Sequence, residues 1–104
     1  MHDSVTSQWP KTIEDAVNRV IAIMSEEEKY VLMNSPEKEL INFHFGLGNM
    51  ICNEFGLCKG NDDLLKACAR SRYNAFERLF FQNDPDEASG FIIEIVWKRL
   101  NSLL

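Results

Sequence analysis

Residues 35–56 read SPEKELINFHFGLGNMICNEFG, and this stretch decides the fold class. Ser35 is a good N-cap, and Pro36 sits where a first helical residue needs no N–H. Glu37 and Glu39 place negative charge at the positive end of such a helix. Gly56 is positioned to end it in a left-handed cap. Leu40, Phe43, His44, Leu47 and Ile51 form one apolar stripe, and Ile41, Phe45, Gly48, Cys52 and Phe55 a second. Together they cover most of the circumference, which predicts a buried central helix with others packed around it. Gly46 and Gly48 each cost up to ~1 kcal/mol against Ala inside a helix. Close approach of a crossing helix is the expected reason for them.

Outward from that stretch the pattern stays helical. Thr12 with Asp15 opens a helix over about 13–24, with Ile13, Ala16, Val17, Val20, Ile21 and Met24 facing inward. Ser25 with Glu28 forms a capping box for a short helix over about 26–33, with Tyr30, Val31 and Met33 or Leu32 inside. Asn61 or Asp62 caps a fourth helix. Tyr73, Phe76 and Phe80 suggest a fifth over about 73–81, separate from the fourth or continuous with it. Asp84-Pro85-Asp86-Glu87 starts a last helix that runs to about Ser102. No strand pattern and no repeat is present. The expectation is an all-α fold: a compact bundle of five to six helices around a central apolar helix at about 36–55. Residues 1–9 form a flexible arm, with Trp9 tucked onto the core, and 10–104 a single helical domain.

The chain has 104 residues, of which 45% are hydrophobic, enough for one modest core. It has neither an apolar run long enough for a membrane span nor a secretory leader pattern. Cys52, Cys58 and Cys68 are odd in number and lack a C-x-x-C pair. They read as reduced thiols, which makes the expected location cytoplasmic. Net charge is −5, and residues 1–63 alone carry eleven acids and five bases. That acidity argues against direct nucleic-acid binding and for a basic partner or a solvated face.

No catalytic constellation emerges. His44 lies on an apolar stripe without a nucleophile partner, and reads as a core histidine bonded to a backbone carbonyl or an aspartate. Cys58 stands beside Lys59, which can lower a thiol pKa, but no orienting histidine accompanies it. Phe45-Gly46-Leu47-Gly48 lacks the lysine and preceding strand of a phosphate loop. No metal set and no cofactor motif is present, so no enzyme activity is expected. Glu26, Glu27, Glu28, Asp62 and Asp63 are the candidate partner-binding acids, although capping alone also explains them. Tyr73 and Phe76 are the candidate aromatic anchors, because aromatics carry much of interface energy.

Three pieces carry a resemblance: Pro10-Lys11-Thr12-Ile13-Glu14-Asp15-Ala16-Val17; Phe43-His44-Phe45-Gly46-Leu47-Gly48 with Asn53-Glu54-Phe55-Gly56-Leu57; and Asp84-Pro85-Asp86-Glu87-Ala88-Ser89. Their order and spacing resemble a family of small bacterial helical domains of unknown function. By type, the small acidic helical chain also resembles immunity proteins of bacterial toxin systems, including contact-dependent growth inhibition. That likeness implies a cognate toxin domain as partner, a basic nuclease, whose active site an acidic surface covers. The alternative is a helical interaction or homo-oligomeric module, with a homodimer as its simplest form.

Overall fold

The computed structural model describes residues 9–72 and 85–102. Helix α1 spans Ile13–Ile23, and the Thr12 hydroxyl accepts the Asp15 N–H at 3.1 Å. Its Ala16, Val17 and Val20 are fully buried, as the spacing predicts. Helix α2 spans Glu26–Met33. Both halves of the Ser25–Glu28 capping box are made, at 3.1 and 2.8 Å. Only Leu32 of α2 is buried; Tyr30 and Val31, expected inside, are exposed. Eight residues are only two turns, so α2 lays one narrow ridge on the core.

The stretch 37–54 is helical throughout but is not one α-helix. It runs as a 3₁₀ segment Glu37–Phe43, a π segment His44–Gly48 and then α3, Asn49–Glu54. The change of pitch redistributes its side chains. A 3₁₀ helix turns by about 120° per residue against about 100° in an α-helix, so seven residues drift by roughly 140°. Leu40 and Phe43, three apart, then share a ridge and pack against the core. Ile41 and Phe45 fall off it, 67% and 87% exposed. Ser35 is not the N-cap of this run: its hydroxyl donates to the Val31 carbonyl and helps close α2 instead. Gly46 marks no helix crossing, because a Cβ there would meet nothing within 4 Å.

Gly56 does terminate α3 in the left-handed region, at φ 74°. A 3₁₀ turn, Leu57–Lys59, leads through Gly60, also left-handed, into α4, Asp62–Arg72. Asn61 caps α4, accepting the Leu64 N–H at 3.3 Å. Helix α5, Pro85–Ser102, completes the bundle. The expected helix at about 73–81, the Asp84 cap and residues 1–8 of the expected arm at 1–9 lie outside the described residues.

The fold is an all-α compact bundle, with no strand among the described residues. Its hub is α5 rather than the 37–54 run. Helix α5 packs on α1, α2, α4, both irregular segments, α3 and the 57–59 turn. Ala88, Ile92, Ile93, Val96 and Leu100 are buried, with Phe91, Ile95 and Trp97 packed alongside. Each fully buried Ile or Val contributes roughly 1.5–3 kcal/mol against exposure. Two polar ties fix the helix in register. The Trp97 indole N–H donates to the Ser35 carbonyl at 2.8 Å, and Arg99 bridges to Glu14 of α1 at 2.8 Å. The tertiary pairing thus decides the centre, since the longest continuous helix can reach the most neighbours.

Candidate functional site

The departure of 37–54 from α-helical pitch opens a groove beside α2. The groove has a volume of about 400 Å³, and Met24, Val31, Phe43, Leu47 and Met50 give it an apolar floor and walls. Glu27 and Glu28 of α2 stand on one side, Asn42 and Gly46 on the other. Ile41 and Phe45 each precede a lining residue by one position and are exposed, but do not line the groove themselves. Gly46 shapes the opening, because without a side chain it leaves the wall low and solvent-accessible.

The three candidate glutamates have different work within α2. Glu28 accepts the Ser25 N–H in the capping box, and Glu26 pairs with Lys29 at 3.2 Å. Glu27 takes part in neither and lines the groove. All three sit in the first turn, where the helix dipole favours a negative charge. Asp62 and Asp63 are exposed in the first turn of α4. Helix α4 packs on α1, α5 and the 57–59 turn, and α2 packs on α5, so separate elements carry the two acidic groups. Neither Asp62 nor Asp63 lines the groove. Tyr73, Phe76 and the side chain of His44 lie outside the described residues. The apolar surface that sequence reasoning missed is Tyr30, Val31, Ile41 and Phe45. Helical periodicity assigned all four to the core. For Ile41 and Phe45 the available signal is the pair of glycines at 46 and 48, which weakens α-helical pitch; for Tyr30 and Val31 it is the shortness of α2.

A second polar cluster joins the two terminal helices. The Arg99 guanidinium donates to Glu14 Oε1 at 2.8 Å, to Glu14 Oε2 at 3.1 Å and to Asn18 Oδ1 at 2.7 Å. The Arg99 hydrogen bonds to Glu14, and the opposite charge of Arg99, hold the Glu14 carboxyl below its usual range. The cluster is exposed and fully paired, which suits it to fastening α1 to α5.

The cysteines depart from the expected set of reduced thiols. Cys52 and Cys58 are joined as a disulfide, with Cα atoms 5.3 Å apart, within normal bridging distance. Six residues of separation on a helix end and its following turn bring them together, which spacing alone does not announce. Cys68 is the free thiol, and burial pushes it up to about 12. Among the described residues no group of three or more His, Cys, Asp or Glu is gathered as a metal site. No described helix is long and apolar enough to cross a membrane.

No curated protein and no solved structure matches the sequence. One family profile does, described as "Domain of unknown function (DUF6794)", over residues 9–100. The match takes in every helix described above, from the Trp9 that docks on Gly56 to the last buried leucine of α5. The chain therefore belongs to the DUF6794 family.

Proposed function

We propose that this protein is an inhibitory binding module of the immunity type, which neutralises a basic toxin domain by docking it on the groove between α2 and the 37–54 run. The observation that carries the reading is the groove itself: an apolar trough of about 400 Å³ lined by Glu27 and Glu28 as well as apolar side chains, with Phe45, the residue before the lining Gly46, 87% exposed. A patch of this kind on a small acidic chain fits an apolar side chain flanked by Lys or Arg. The apolar contacts supply affinity, and the acids supply steering and register. A nuclease toxin meets that description, because its active-site surface must attract phosphate. The partner's activity is stopped by coverage, without chemistry on this chain.

Cytoplasmic action, expected from the sequence, requires the Cys52–Cys58 disulfide either to withstand the cellular thiol pool or to be dispensable for binding. A second reading, self-association, is favoured by the same exposed Ile41 and Phe45. It makes the groove a dimer contact.

The test is co-purification with the product of the adjacent upstream gene, followed by titration of its toxic activity. Gly46→Lys places bulk and positive charge in the groove at a position open enough to accept it. Binding is expected to weaken by at least about tenfold, or ~1.4 kcal/mol, with the melting temperature unchanged. Glu27→Lys should weaken it further as salt is lowered, the reverse of the wild type. Unaltered binding by both variants removes the groove from the mechanism. A dimer in light scattering that Gly46→Lys dissociates establishes self-association instead.

A further inference from the structure

The connection between α3 and α4 gathers four features within ten residues. Cys52, in α3, is buried, and Cys58, in the following 3₁₀ turn, is exposed. Their disulfide straddles Phe55 and Gly56. Gly56 is left-handed, and a Cβ on it would fall inside the Trp9 ring, so the indole lies directly against the glycine backbone. Asn61 is buried and completes the dock. Its side-chain amide donates to the Pro10 carbonyl at 2.9 Å and to the Phe55 carbonyl at 2.7 Å. The backbone of the loop closes on itself, with the Lys59 and Asn61 N–H groups both donating to the Gly56 carbonyl at 2.9 Å. The disulfide therefore clamps the platform on which residues 9 and 10 are seated.

We propose that Cys52–Cys58 is a thiol–disulfide exchange site at which a dithiol opens the 52–58 loop and loosens the docked Trp9–Pro10 segment. The exposure of the two residues sets the order of events. The incoming thiolate attacks Sγ of Cys58, the exposed residue of the pair, forming a mixed disulfide there. The Sγ–Sγ bond breaks, and Cys52 Sγ leaves as a thiolate and takes a proton. The second thiol of the dithiol then attacks its own sulfur in the mixed disulfide and releases Cys58 as a thiolate, which is protonated. In sum, two electrons and two protons pass from the dithiol to the cysteines, and the dithiol becomes a cyclic disulfide. Cys68, buried in α4, is not a competing acceptor. Loss of the cross-link returns chain entropy to the loop, and so favours its local opening. This inference does not depend on the groove or its partner.

The experiment uses the full chain and dithiothreitol as the dithiol. Alkylation after denaturation counts free thiols: one without reductant, three after it. Hydrogen exchange is followed on the oxidised and reduced protein. Reduction is expected to accelerate exchange of the Lys59 and Asn61 amides, and of the Leu64 amide that Asn61 Oδ1 holds, by about tenfold or more. The Ile92 and Val96 amides of the hub should respond less. Cys58→Ser should show the fast exchange with or without dithiothreitol. Because the wild type is measured in both states, the result stands even if the variant fails to fold. Three alkylated thiols in never-reduced protein, or equal exchange in both states, overturns the proposal.

Discussion

Gly56→Ala tests the contact that fastens the start of the domain to its body. Two separable costs arise at this position. At φ 74° an L-residue sits in the left-handed region, at about 1–2 kcal/mol. The new methyl also lands in the Trp9 ring, and displacing a packed aromatic costs typically about 1–3 kcal/mol. The sum is about 2–5 kcal/mol, a melting-temperature loss of about 10 °C or more for a domain of this size. A double-mutant cycle with Trp9→Ala separates the two. In the Trp9→Ala background the ring is gone, so Gly56→Ala should cost only the backbone strain. The expected coupling is at least ~1 kcal/mol, read from urea midpoints at equal slope. Equal costs in the two backgrounds, within about 0.5 kcal/mol, would refute the stacked arrangement.

Other changes probe other parts of the molecule. Asn61→Ala should cost about 2–4 kcal/mol in chemical denaturation, since it strands the Pro10 and Phe55 carbonyls and removes the α4 cap together. Phe45→Ala should leave stability within ~0.5 kcal/mol, whereas Ile51→Ala, fully buried a few residues on, should cost about 2–5 kcal/mol. Glu14 has its carboxyl held low by Arg99, so its contribution is complete above the ordinary value of 4.5 and is lost as pH falls through the lowered folded value. Glu14→Gln should accordingly flatten the acid limb of the stability–pH profile below pH 4.5 and leave the neutral slope as it was. Cys68, pushed up to about 12 by burial, should resist alkylation in the folded protein at pH 8 and react fully in denaturant.

Local chemistry was legible in the sequence wherever short-range interactions decide the outcome. Thr12–Asp15, Ser25–Glu28 and Pro85 mark helix starts through bonds and sterics within one turn. Gly56 marks a helix end, because a left-handed residue there costs glycine nothing. The inward stripe of α1 followed from period 3.6, since α1 is a regular α-helix. The all-α class rests on these features. The candidate acids were also legible as acids, but their roles were not. The bond from Glu28 to Ser25 is local, while the place of Glu27 on a groove depends on what packs opposite α2.

The tertiary structure decided the rest, through interactions between residues far apart in sequence. The 37–54 stretch has the composition of a buried helix, and its residue pattern assumes a uniform 100° step. Its 3₁₀ and π segments break that step, which turns Ile41 and Phe45 outward and opens the groove. The hub passed to α5, whose length lets it touch every other described element. The Cys52–Cys58 bridge, the Trp9 ring on Gly56 and the Arg99–Glu14 tie require the backbone to bring separate segments to bonding distance. Residue type fixed which of these contacts were chemically available, and the packing of the helices chose which were made.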